Sequence, residues 1–186
     1  TTQSKTWQQI FQHLAIGTVL TYSIILFFAS SDKYTFGIDR KVIESQRNFY
    51  GAINVTEEKF LSGQNTTTKK TLFNGKISHG LQNFNTPDTR TPTSYYSPSG
   101  GIGNLITKLT TEKPSRPLRV GVIGLGTGAL AGYCRNNDYY RFYEINPQVI
   151  TVNEKHFTFI KNCKADGGVV DIILGDARLS LQKELT

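Results

Sequence analysis

Three glycines at alternate positions, Gly124, Gly126 and Gly128, interrupt the apolar run from Arg119 to Ala131 (RVGVIGLGTGALA). Glycine tolerates the positive φ angles of a sharp turn and lets the backbone come close to a bound group. The preceding Val120, Val122 and Ile123 read as a buried parallel strand. The residues after Thr127 have helix-forming character. Such a turn ends at a helix N-terminus, whose free N–H groups and positive dipole end suit a nucleotide. Two acids stand where that ligand needs them. Glu144 comes 20 residues after Gly124, at the end of the next expected strand, where a carboxylate can accept hydrogen bonds from both ribose hydroxyls. Asp176, within Gly175-Asp176-Ala177, ends a third expected strand and is placed to accept from the exocyclic amine of an adenine. A helix cap or a solvated strand-end acid is the competing explanation for either acid alone.

Spacing leaves the nucleotide open. Gly124-x-Gly126-x-x-Ala129 also fits the dinucleotide fingerprint, in which alanine can replace the third glycine. Gly128 and the Gly-Asp-Ala turn favour a ligand of the S-adenosylmethionine type instead. No metal is expected. Cys134 and Cys163 lack metal-like spacing and lie in segments that read as buried helix, so free core thiols in a reducing compartment are the expectation.

A sheet is needed to align the three strand ends. From Leu118 onward the pattern alternates: strand Leu118–Ile123, helix Gly128–Arg135, strand Tyr139–Ile145, helix Pro147–Ile160, strand Val169–Leu174, and a last helix from Ala177. This implies right-handed crossovers and a parallel sheet, with ligands at the carboxyl ends of its strands. Val42 to Gln82 reads as short β structure, with Asn74-Gly75 as its strongest hairpin signal. A Ser-Pro-Ser-Gly-Gly turn then precedes a helix from Ile102.

The net charge of +7 is unevenly placed. Lys33 to Arg119 holds 13 Lys/Arg against 6 Asp/Glu, whereas Val120 onward holds 7 of each. No Lys/Arg-rich run or aromatic-basic repeat accompanies the excess, so it favours a membrane surface over nucleic acid; a solvated basic face is the plain alternative. The run Leu14 to Ala29 is uncharged. It reads as a membrane-spanning helix within residues 1–33, with the basic residues after 33 on the cytoplasmic side. A cleaved signal peptide ending at Ala29-Ser30-Ser31 and a buried helix compete with that reading. Under export, Asn54-Val55-Thr56 and Asn65-Thr66-Thr67 become glycan acceptors. The chain contains no methionine, which suits a piece of a longer protein.

Blocks along the chain resemble the spermidine synthase family of aminopropyltransferases, in its membrane-fused branch. They are Arg47-Asn48-Phe49-Tyr50-Gly51, His79-Gly80-Leu81-Gln82, Pro92-Thr93-Ser94-Tyr95-Tyr96 and Gly100-Gly101-Ile102-Gly103. Val122 to Gly128, Tyr143-Glu144-Ile145-Asn146-Pro147 and Gly175-Asp176-Ala177-Arg178 continue the series.

The resemblance implies an α/β fold: a truncated, Rossmann-like sheet of the S-adenosylmethionine-methyltransferase kind over residues 96–186, a small N-terminal β domain over 42–95, and the transmembrane helix. It implies that Gly124, Gly126, Gly128, Glu144, Asp176 and Gln82 hold decarboxylated S-adenosylmethionine, S-adenosylmethionine or methylthioadenosine, with His79 and Tyr96 bordering the substrate cleft. The expected partners are that nucleoside, an amine, a membrane and a second copy of the chain, with no nucleic acid.

The departures are chemical. Family members carry an Asp-Glu pair just before the tyrosine, where this chain has polar, uncharged residues around Thr93-Ser94. Asn146 replaces the second acid of Glu-x-Asp. The family's catalytic aspartate ends a fourth strand that would follow Thr186, so no catalytic residue is assigned and the chain is expected to be inactive alone. Methyl transfer, a non-catalytic nucleoside-sensing module of a membrane protein, and a dinucleotide-dependent oxidoreductase are the alternatives.

Overall fold

Four antiparallel strands and three parallel strands form two separate sheets. The computed structural model describes residues 13–26, 39–62 and 65–185. Residues 1–38 and 39–186 are two units; the first contributes one described helix, α1 (13–26).

In the second unit β1 (Asp39–Asn48), β2 (Gly51–Ser62), β3 (Asn65–Asn74) and β4 (Ile77–Phe84) run as a meander in the order β1-β2-β3-β4. Alternation fixes its faces. Ile53, Val55 and Leu72 are fully buried on one face, each contributing about 1.5–3 kcal/mol by leaving water. The opposite face carries Arg40, Glu58, Lys69 and Phe73, tied by the Glu58 ion pairs with Arg40 (3.3 Å) and Lys69 (2.6 Å). The Asn74-Gly75 signal marks the right hairpin with a shift of one residue. Asn74 stays in β3, and Gly75, at φ +59°, takes the first position of a two-residue loop.

Helix α2 (Gly101–Glu112) leads to β5 (Arg119–Ile123), β6 (Tyr139–Glu144) and β7 (Val169–Leu174). Helices α3 (Pro147–His156) and α4 (Phe159–Ala165) join β6 to β7, and α5 (Ala177–Glu184) follows. One face of the parallel sheet is apolar, with Tyr140, Phe142 and Val170 buried and Val120, Val122 and Ile172 packed beside them. The other face is polar. Arg119 lies over the Tyr139 ring, the Tyr139 hydroxyl donates to Asp171 at 2.7 Å, and Arg141 pairs with Glu184 at 2.8 Å.

Several expectations are corrected here. The strands advance one way, β5-β6-β7, without the reversal of strand order that creates a nucleotide switch point in a doubly wound sheet. The helix expected over Gly128–Arg135 is a short 3-10 turn, Ala129–Tyr133. The Rossmann-like arrangement is therefore not what these strands make. The helix expected over Pro147–Ile160 breaks at Phe157, which is extended.

The membrane-spanning helix is corrected too. Among the described residues no helix is long and apolar enough to cross a membrane. The described stretch 13–26 is about 21 Å long at 1.5 Å per residue, against about 30 Å of hydrocarbon. The rest of the expected span, and the Ala29-Ser30-Ser31 site, lie outside the described residues. With no spanning helix among the described residues, the membrane localisation and the cytoplasmic placement of residues after 33 are corrected as well. Finally, Cys134 and Cys163 are joined in a disulfide rather than standing as separate thiols. Gly168 makes room for it, since a Cβ there would come within 2.2 Å of Cys134 Sγ and 2.7 Å of Cys163 Sγ.

Candidate functional site

A cleft of about 360 Å³ opens where the glycine turn and the end of β6 meet the first sheet. Its chemistry begins with Glu144. The carboxylate is 7% exposed, and it is held rigidly by the backbone around it. Oε2 accepts from Leu125 N at 2.8 Å and Oε1 accepts from Asn146 N at 2.8 Å. The glycine turn after β5 thus wraps the acid that ends β6. Each oxygen keeps a lone pair, so the group can still accept from a ligand hydroxyl.

The turn is left-handed at each of its three glycines, with φ of +88°, +53° and +72° at Gly124, Gly126 and Gly128. The three glycines differ in what they permit. Gly124 and Gly126 line the cleft, and Gly128 is not among its walls. A Cβ at Gly124 would meet nothing within 4 Å, whereas at Gly126 it would stand 2.9 Å from the His79 carbonyl. At Gly128 it would press on Ile160 Cγ1 at 3.0 Å, so this glycine serves packing. Asn153 donates to the Gly126 carbonyl at 3.0 Å and steadies the loop from α3.

His79, exposed on β4, and Tyr96 border the cleft, joined by Tyr50, Asn74 and Tyr95. The Tyr95 and Tyr96 rings are 4.3 Å apart. Burial, reinforced by the Tyr95 hydroxyl, pushes the Tyr96 phenol up to about 12, so it remains a neutral donor at ordinary pH.

Two further expected site residues, like Gly128, lie outside the cleft walls. Gln82 is fully buried and spends its amide inside the protein. It donates to the Thr89 carbonyl (2.9 Å) and to Thr158 Oγ1 (2.8 Å), and accepts from Thr158 N (2.9 Å), pinning β4 to the break between α3 and α4. Asp176 is exposed and caps α5, accepting from Leu179 N at 3.0 Å; it is not among the cleft walls.

Asn48, Tyr50 and Asn74 were not singled out from the sequence as site residues. Asn48 and Asn74 lie at strand ends beside turns, and the motifs that contain them, the Arg47 to Gly51 block and Asn74-Gly75, mark a resemblance and a hairpin rather than a site. Asn48 is not itself a cleft wall but bonds one, Asn146, and pairing of the first two strands about Phe49-Tyr50 is the signal that could have pointed to it. Among the described residues no cluster of three or more His, Cys, Asp or Glu side chains could hold a metal.

No protein-family model matches the chain, and no curated protein matches it. The expectation of a membrane-fixed transferase of polyamine biosynthesis is corrected with the fold. Its spanning helix is not found among the described residues, and Glu144 is the one acid lining the cleft there, too few to grip a polycation.

Proposed function

We propose that the cleft binds an adenosine bearing a sulfur substituent at its 5′ carbon, the ligand class of the spermidine synthase family that the chain resembles. The observation that carries this reading is Glu144, a carboxylate held by Leu125 N and Asn146 N beside the Gly124–Gly126 turn. That arrangement fits a ribose diol, with the flexible glycine backbone against the sugar and the aromatic walls against the substituent. Asp176 would lie away from the ligand. Titration calorimetry of the full chain with 5′-methylthioadenosine tests the proposal. Binding that is lost on Glu144→Ala and absent with NADPH supports it; binding of NADPH alone overturns it.

A further inference from the structure

Asn146 lines the cleft beside Glu144 and is 3% exposed. Its amide is fixed in one sense. Oδ1 accepts from Asn48 Nδ2 at 2.7 Å and from Gln148 N at 3.0 Å. An inverted amide would set Nδ2 against a backbone donor. Nδ2 is therefore the free end, and it is buried without a hydrogen-bond partner. Leaving a buried donor unmade is costly, so an amide of this kind in a cleft wall marks a place where a ligand brings an acceptor.

The surrounding charge points the same way. Glu144 is the one acid among the described lining residues, and each of its oxygens already accepts a backbone N–H. Tyr50, Tyr95, Ile123 and Ile145 make much of the remaining wall. A ligand with both a sulfonium and an ammonium group would bring two positive charges to one carboxylate already engaged, and would lose water to apolar walls.

We infer that the cleft selects a neutral thioether nucleoside over a cationic sulfonium nucleoside. Asn146 is the selecting residue, and Asn48 is the residue that positions it. The inference rests on the proposal that the cleft binds a 5′-sulfur adenosine. An acid at position 146 would accept where the amide donates and would add the missing negative charge; asparagine reverses the polarity of that point and leaves the carboxylate count at one.

The test is calorimetric titration of the full chain with adenosine, 5′-methylthioadenosine and decarboxylated S-adenosylmethionine, for wild type and Asn146→Asp. Aspartate keeps an acceptor for Asn48 Nδ2 and Gln148 N, so it retains the cap of α3; melting temperatures recorded alongside report on the fold. Wild type is expected to bind methylthioadenosine about tenfold or more tighter than the dication, and the variant to narrow that ratio about tenfold. Should the variant melt much earlier, Asn48→Ala, which leaves Asn146 Oδ1 held by Gln148 N alone and loosens the amide, is expected to narrow the ratio instead. Equal or tighter binding of the dication by wild type overturns the inference, as does an unchanged ratio in a variant that melts normally. If adenosine binds while the ratio fails, charge selection alone is wrong. If none of the three binds, the nucleoside proposal falls and the selection falls with it.

Discussion

Asn48 Nδ2 donates to Asn146 Oδ1 across 2.7 Å, joining the last residue of β1 to the residue that caps α3. The two lie 98 positions apart in sequence, and the bond is one of few polar links between the first sheet and the glycine-turn half of the cleft. Asn146 keeps its capping bond from Gln148 N without Asn48. Asn48 Oδ1 also accepts from Tyr50 N at 2.9 Å, so Asn48→Ala is expected to cost about 2 kcal/mol, the net worth of two such hydrogen bonds. Urea denaturation measures it, and a loss above about 3 kcal/mol would mean that the bond holds the two parts together rather than orienting one side chain.

Gln82 separates a structural role from a binding one. Gln82→Leu leaves Thr158 N and the Thr89 carbonyl without their side-chain partner and removes one of the two amide donors to Thr158 Oγ1, which keeps Asn162 Nδ2. Leaving buried groups unpaired in this way is expected to cost about 3 kcal/mol or more. Affinity for 5′-methylthioadenosine, measured at a temperature where the variant is still folded, is expected to stay within about twofold of wild type. A tenfold weakening in a folded variant would return Gln82 to the ligand.

The contrast between Glu144 and Gln82 explains what could be read without coordinates. Strand and helix positions from Leu118 onward follow periodicity and turn residues, which act locally, and so β5, β6, β7 and α5 fall close to where the pattern puts them. Glu144 was readable because its distance from the glycine turn is set by one strand–loop–strand unit. Gln82, by contrast, sits in a block of residues that looks like a site, yet its partners Thr89 and Thr158 come from other elements, and no local signal names them. The break at Phe157 has the same origin, since Thr158 N leaves the helical pattern to bond Gln82. The disulfide was hidden because a separation of 29 residues carries no pairing information by itself.

Acid sensitivity is expected at the junction of β1 and α3. Lys155 hydrogen-bonds the Glu44 carboxylate, with Gln46 and His156 adding to it, and together they lower the Glu44 pKa from 4.5 to about 2. A carboxylate with a depressed folded-state pKa contributes stability that is complete above its unfolded value and is lost as pH falls through the folded one. The window is thus pH 4.5 down to about 2. Glu44→Gln is expected to flatten the fall of melting temperature across that window relative to wild type. Parallel acid limbs for the two proteins would show that the pairing contributes nothing to the fold.

The disulfide is expected to matter for stability rather than for binding. Cys134 ends the 3-10 turn after the glycine loop and Cys163 lies in α4, so the bridge closes a loop of 29 residues. Chain-entropy arguments for a loop of this length give about 3.5 kcal/mol. Replacing both cysteines with alanine is expected to lower the urea midpoint accordingly while leaving nucleoside affinity within about twofold. Equal stability of the reduced and oxidised proteins would count against this.

The three glycines of the turn are expected to fail in different ways when changed to alanine, because their surroundings differ. All three have positive φ, so each alanine carries backbone strain of about 1–3 kcal/mol. At Gly124 that strain is the whole stability cost, since the new Cβ meets no protein atom within 4 Å. Gly124 lines the cleft, however, and a methyl there roughens the wall against which the ligand lies. Gly126→Ala adds a contact at 2.9 Å with the His79 carbonyl, which is backbone of β4 and yields only if the strand moves. Gly128→Ala meets Ile160 Cγ1 at 3.0 Å and Asn153 Nδ2 at 3.2 Å, side-chain atoms that can shift a little. The expected order of destabilisation is therefore Gly126→Ala above Gly128→Ala above Gly124→Ala, while Gly124→Ala loses the most affinity for each kcal/mol of stability. Paired denaturation and calorimetry on the three variants check both orders. A Gly124→Ala protein that binds 5′-methylthioadenosine like wild type would move the ligand away from the turn.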